Sequence, residues 1–146
     1  MLRVLEFGKQ REGIQYRRRS GVYAVVFDAD HRVAVVKVGD RYFLPGGGVL
    51  EGELPEETLA REVREELGWR VEIGRKIGCA NDSFYADEIG EYLTKEGVFF
   101  EARLKSEGEA KTEPDHELVW LEPKQARQRM HNRSHAWAIE EALKYL

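Results

Sequence analysis

The sequence predicts an α/β fold, a mixed β-sheet with helices packed on both of its faces, and three observations carry that expectation. Short β-branched runs at 22–27 and 33–38 read as buried strands. The stretch 55–67 spaces Leu59, Ala60, Val63 and Leu67 as one helical stripe and stops at Gly68. Two further helical stretches, 123–130 and 134–146, follow a last strand at 117–121. Strands and helices in this order bury a sheet between two helical layers.

Size and composition agree with one soluble globular unit. The chain has 146 residues, 42% apolar and 34% charged, enough to bury a core as a single domain over residues 1–146. A net charge of −4 gives no reason to expect nucleic acid as a partner. Cys79 is the only cysteine, so no intrachain disulfide forms. The opening MLRVLEFGKQ lacks an apolar signal region, and no apolar run approaches membrane-span length. Together these lead to the expectation of a cytoplasmic protein away from membranes.

Taken in order, residues 1–19 carry six basic and two acidic side chains, opposite in sign to the whole. Strand alternation prevents Arg17, Arg18 and Arg19 from sharing one site, but Arg17 and Arg19 share a face and are candidates to reach an anionic substrate. Asp28 to His31 and Gly39-Asp40 are turns that separate the strands at 22–27, 33–38 and 41–44. Gly46, Gly47 and Gly48 exceed what a plain turn requires, which indicates a loop approached closely by a ligand. Pro55 suits the first helical position, and Glu56 and Glu57 complement the positive end of that helix. Leu54 is a poor cap, by about 1 kcal/mol relative to Ser, Thr or Asp. Further strands are expected at 70–79, 83–85 and 92–104, the last two around a turn at 87–90. The adjacent Phe99 and Phe100 must face opposite sides. Residues 105–115 read as an exposed polar loop, and Ser134 as the cap of the last helix.

The stretch from Gly46 to Trp69 is the part that points to chemistry. Glu62, Glu65 and Glu66 sit at i, i+3 and i+4, so their carboxylates project from one helix face. A like-charge pair near 4 Å costs on the order of 4 kcal/mol at an effective dielectric of about 20. The stretch holds seven glutamates against Arg61 and Arg64. A divalent cation would relieve this crowding, and oxygen ligands suit magnesium or manganese. A solvated acidic face is the alternative for a helix taken alone; the glycine loop before it favours a site.

As a pattern, the stretch runs Gly47, five residues, Glu53, seven residues, then Arg61-Glu62-Val63-Arg64-Glu65-Glu66-Leu67-Gly68-Trp69. At roughly 7% usage per residue, seven fixed positions coincide by chance about once in 10⁸ windows. The pattern resembles the signature of the Nudix (MutT-like) hydrolases, and Leu44-Pro45-Gly46 is similar to that family's approach to the box. The resemblance implies an α/β/α sandwich with a mixed β-sheet and a loop–helix–loop catalytic motif. It also implies divalent-metal-dependent hydrolysis of a nucleoside diphosphate linked to another group, with magnesium as the cofactor and manganese as its alternative. By the same resemblance Glu62, Glu65 and Glu66 are metal ligands together with the Gly46 carbonyl, Glu62 is a candidate base and Arg61 holds the glutamates. A late-loop carboxylate often completes such a site; of Glu113 and Glu117, Glu117 is preferred because it sits nearer Trp120. Of the four histidines, His116, His131 and His135 are expected to be surface or packing residues.

Substrate is less sharply indicated. Asn132, before the last helix, resembles the asparagine with which MutT-like nucleoside triphosphatases read a purine edge. The expected reaction is therefore a nucleoside triphosphate, an oxidised purine one included, to monophosphate and pyrophosphate. Tyr85 lies where dinucleoside polyphosphate hydrolases keep a stacking tyrosine, which keeps that activity as an alternative. A nucleotide-sensing module without turnover is the third reading, disfavoured because every box glutamate is present. The partner is a small nucleotide, and the oligomeric state is open, a homodimer included.

Overall fold

The computed structural model describes residues 3–106 and 113–146. Its elements run β1 (Val4–Phe7), β2 (Arg17–Val26), β3 (Val33–Val38), β4 (Arg41–Phe43), β5 (Gly46–Gly48), α1 (Pro55–Leu67), β6 (Arg70–Ala86), β7 (Glu91–Ser106), β8 (His116–Leu121), α2 (Pro123–Arg129) and α3 (Arg133–Leu143). A five-stranded sheet has the order β1-β6-β7-β2-β5, and a three-stranded sheet the order β4-β3-β8. The first is mixed, because β2 runs parallel to β7 and β1 parallel to β6 while β6 and β7 are antiparallel.

Strand alternation divides the interior into two cores, each drawing on both sheets. Val22, Ala24 and Val26 of β2 and Ala34 and Val36 of β3 pack with Leu59, Val63 and Leu67 of α1. On the other side Val25, Val33 and Val35 meet Ala126 of α2 and Ala138, Ile139 and Ala142 of α3. The α/β/α sandwich expected from the sequence is thus present. Phe99 and Phe100 divide between the two cores, and both are buried.

The local differences have physical reasons. Strand β1 pairs beside β6, a contact that a short N-terminal run does not advertise. The strands expected at 70–79 and 83–85 are one strand, β6, which absorbs its irregularity as register shifts between Ile73 and Lys76 and between Lys76 and Gly78. The glycines at 46–48 form strand β5 against β2, at the edge of the sheet, not an open loop. Helix α3 starts one residue earlier than expected, with Asn132 at the N-cap and Ser134 inside the first turn. No side chain of α3 caps it; Ser134 N–H instead donates to Asp82 Oδ1 on β6 at 3.1 Å. The weak cap at Leu54 is offset by Glu57, whose carboxylate accepts the Leu54 N–H at 2.9 Å. Gly68 ends α1 in the left-handed region, at φ 72°. The polar loop expected over 105–115 falls mostly on residues 107–112, outside the described residues. No helix among the described residues is long and apolar enough to cross a membrane.

Candidate active site

Helix α1 buries Leu59, Val63 and Leu67 and thereby lays Glu62, Glu65 and Glu66 along the edge of β5 and the start of β8. Glu66 is the most enclosed, 5% exposed. Its Oε1 accepts the Gly46 N–H at 2.9 Å, and its Oε2 lies 3.0 Å from His116 Nδ1. Burial pushes the Glu66 carboxyl up to about 8; the Gly46 N–H opposes this, while Glu62, Glu113 and Glu65 add to it. Burial also raises Glu62, which the neighbouring Arg61 counters.

Glu113 completes the cluster. Its backbone N–H donates to Glu65 O at 3.2 Å, docking the turn before β8 onto α1. Its Oε2 lies 3.0 Å from the same His116 nitrogen that meets Glu66, yet it is buried without a hydrogen-bond partner. One ring hydrogen shared between two carboxylates leaves each of them under-satisfied. Oxygens of Glu62, Glu65 and Glu113 lie within 4.8 Å of one another, as do ligand atoms of Glu66, Glu113 and His116. A buried, unpartnered carboxylate oxygen among crowded acidic groups fits a hard divalent cation.

Arg61 ties the cluster together from outside. Its Nε donates to Glu53 Oε2 at 2.7 Å, Nη1 to Glu62 at 3.0 Å and Glu65 at 3.2 Å, and Nη2 to Gly48 O at 2.8 Å. A planar guanidinium can make all these bonds at once, whereas an ammonium cannot. Arg61, followed by the Leu50 N–H, holds the Glu53 carboxyl down to about 2. Glu53 also accepts the Thr58 hydroxyl, so it anchors the turn before α1 and stands behind Arg61.

Two glycines are required for different reasons. Gly46 has φ 140°, and an added Cβ would stand 2.1 Å from Val22 O. A Cβ on Gly47 would stand 2.4 Å from Glu62 Cδ, in the space of the carboxylate that Arg61 holds. Gly46→Ala should therefore lower the thermal midpoint through backbone strain. Gly47→Ala should instead displace Glu62 and reduce kcat at least about tenfold, with a loss of about 1–3 kcal/mol in stability. Thermal unfolding and steady-state kinetics of the two variants separate these effects.

The structure places the other sequence candidates unevenly. Glu117, preferred from the sequence as the late ligand, is a correction. It follows His116 on β8, where His116, Leu118 and Trp120 turn toward α1; Glu117 is exposed and faces the other way. The late carboxylate at the cluster is Glu113. His116, expected to be a surface or packing residue, also lies in it. Gly46 meets Glu66 through its N–H. Arg17 is held by Glu91 at 2.6 Å, away from the cluster. Arg19 instead lines the surface beside Ser20 and Gly48. From Gly48 the surface continues into a cavity of about 190 Å³ that includes Arg19, Tyr23, Asp82, Lys95, Asn132 and His135. A neighbouring cavity of about 290 Å³ shares Arg19 and Lys95 and contains Tyr85, whose ring packs on Tyr92 at 4.8 Å. Asn132 is 5% exposed, with its amide 3.5 Å from His135 Nε2. His135 is fully enclosed, accepts the Leu44 N–H at 3.1 Å, and is pushed by burial down to about 3, so its ring is neutral.

The architecture is a sheet between helical layers, with a carboxylate-bearing helix beside a glycine strand. The NUDIX domain family matches residues 17–142, and the chain belongs to that family. The sequence is 34% identical over 70 residues to a Bacillus subtilis (strain 168) protein named "Putative 8-oxo-dGTP diphosphatase", covering 47% of each chain. It is 58% identical over 33 residues to Nucleoside triphosphatase NudI of Enterobacter sp. (strain 638), covering 23% of each. The matches thus span about half or less of these curated relatives. Among solved structures, a NUDIX hydrolase from Nitrosomonas europaea superposes with a TM-score of 0.71 at 18% identity, over 88% of this chain and 90% of that one. The E. coli dihydroneopterin triphosphate pyrophosphohydrolase gives 0.69 at 19% identity, over 90% and 99%. These structural likenesses establish the fold.

Proposed function

We propose that this protein is a divalent-cation-dependent pyrophosphohydrolase that converts a nucleoside triphosphate, oxidised purine nucleotides included, into monophosphate and pyrophosphate. The observation that carries the reading is the carboxylate cluster of Glu62, Glu65, Glu66 and Glu113, with Arg61 bonded to Glu62 and Glu65 and a cavity of nucleobase size beyond Gly48. Glu62, Glu65, Glu66 and Glu113 would hold magnesium or manganese, which would neutralise phosphate oxygens and lower the pKa of a bound water. Arg61 keeps the carboxylates oriented before substrate arrives, so little reorganisation is left for the reaction itself. Glu62, with 15% of its side chain exposed and Arg61 Nη1 at 3.0 Å, is suited to take the proton of the attacking water. That water forms a bond to phosphorus as the anhydride P–O bond breaks and pyrophosphate leaves. The two relatives named for triphosphate chemistry point in the same direction.

Incubation with a nucleotide panel and magnesium should release pyrophosphate and the monophosphate, and chelation should stop it. Absence of turnover of every nucleotide would overturn the proposal.

Tyr85 favours a second reading, cleavage of dinucleoside polyphosphates, because it is 47% exposed and lines the second cavity. Diadenosine tetraphosphate should then outcompete triphosphates, and Tyr85→Ala should raise its KM several-fold. Unchanged turnover in that variant removes the reading's support.

A further inference from the structure

Asp82 on β6 and Lys95 on β7 are direct cross-strand partners, so their side chains leave the sheet on one face. Both line the cavity of about 190 Å³ next to Gly48; their charged atoms do not come within ion-pair distance, although the Asp82 charge still acts on Lys95. Asp82 is 6% exposed. Its Oδ1 accepts the Ser134 N–H at 3.1 Å, which fixes the carboxylate at the start of α3. Its Oδ2 is buried with no hydrogen-bond partner. Lys95 Nζ stands over the Phe84 ring at 5.6 Å and the Phe43 ring at 5.8 Å. His135 is neutral and adds no cation, so Arg19 is the other positive side chain on the cavity wall. A buried acceptor and a cation held apart in one cavity leave two opposite polar demands for a ligand to meet.

Size and chemistry narrow that ligand. An apolar cavity of about 150 Å³ admits benzene, so this one admits a larger planar heterocycle. Asp82 requires donors and Lys95 an acceptor. Adenine sets an amino donor beside ring acceptors and has no oxo group. Cytosine follows its amino group with two acceptors. Uracil and thymine flank their single N–H with oxo groups, one of which would face the carboxylate. A 2-amino-4-oxo pyrimidine ring presents two adjacent donors, the ring N–H and the amino group, with the oxo acceptor next to them.

Building on the triphosphatase reading, we infer that this cavity selects the 2-amino-4-oxo edge shared by guanine and pterins, with Asp82 accepting its two donors and Lys95 donating to its oxo group. Asp82 and Lys95 are then specificity residues, and the carboxylate cluster acts on whichever triphosphate they seat.

The test separates binding from turnover. Calorimetry with the metal-free protein should show GMP bound at least about tenfold more tightly than AMP, with IMP, which keeps the ring N–H and oxo group but lacks the 2-amino group, between the two. Neopterin run in parallel distinguishes a pterin from a guanine source. Asp82→Asn keeps an oxygen for Ser134 N–H but exchanges an acceptor for a donor; it should abolish the GMP preference and raise KM for dGTP more than it lowers kcat. Lys95→Met should weaken GMP and IMP together. Equal affinity of the wild type for GMP, AMP and IMP, or an unchanged preference in a folded Asp82→Asn protein, overturns the inference. If Asp82→Asn fails to fold, the wild-type series and Lys95→Met still decide. Selective GMP binding without turnover of any triphosphate would refute the proposed function and leave this cavity assignment standing.

Discussion

Replacing Glu66 with glutamine should eliminate turnover while leaving the protein at least as stable as the wild type. Glu66 sits at the centre of the candidate cation site, bonded to Gly46 N–H and 3.0 Å from His116. Glutamine preserves the volume and the oxygen that meets Gly46, but removes the charge. Loss of one anionic ligand withdraws several kcal/mol of charge stabilisation, on the order of 10³ or more in kcat. The same removal relieves a buried charge crowded by Glu62, Glu65 and Glu113.

The pH dependence follows from the same residue. In the metal-free protein the Glu66 pKa moves from 4.5 to about 8 on folding. Between those values the folded state retains a proton that the unfolded state has released. Stability therefore falls as pH rises through that window and levels off above it, by on the order of a few kcal/mol. Thermal midpoints with chelator present should decline from pH 5 to 8 in the wild type and much less in Glu66→Gln. Added magnesium should raise the wild-type midpoint most at the upper end of the range, where the carboxylate is ionised. A flat wild-type profile would show that Glu66 is not the buried charge described above.

Replacing Arg61 with alanine should be the second most damaging change, and it should act on both stability and rate. The guanidinium bonds Glu53, Glu62, Glu65 and Gly48 O together, and 18% of its side chain is exposed. Exposed pairs contribute about 0–1 kcal/mol, and removing one partner of a buried pair costs about 3–5 kcal/mol. Partial enclosure places this variant near 2 kcal/mol, read as a lower urea midpoint at unchanged slope. Displacement of Glu62 and Glu65 should lower kcat about 10- to 100-fold, the range for residues that orient metal ligands. Arg61→Lys should recover little, because one ammonium cannot reproduce the fork. Recovery of full activity by lysine would reduce Arg61 to a source of positive charge.

The parts of the site that were legible in sequence are those set by local geometry. Helical spacing aligned Glu62, Glu65 and Glu66 before any tertiary contact was known. Arg61 stands four residues before Glu65, within reach on the same helix. The alternation of β2 and β3 and the opposed faces of Phe99 and Phe100 were readable for the same reason, since both periods belong to the backbone itself.

What tertiary structure decided is whatever depends on two segments meeting. Between Glu113 and Glu117 the sequence favoured proximity to Trp120, but the phase of β8 places Glu117 on the opposite face. The backbone contact of Glu113 with Glu65 brings the other carboxylate in. His116 joins through that same phase. Strand β1 and the continuity of β6 depend on pairing partners far along the chain. Asp82 and Lys95, thirteen positions apart, meet only because the β6–β7 register sets them opposite each other. The sequence alone determined the Glu62, Glu65 and Glu66 face and the reaction class it implies, because those carboxylates lie within two turns of one helix. The cavity beside Gly48 was decided by the fold, because its walls come from β2, β5, β6, β7 and the start of α3, and no local rule relates them.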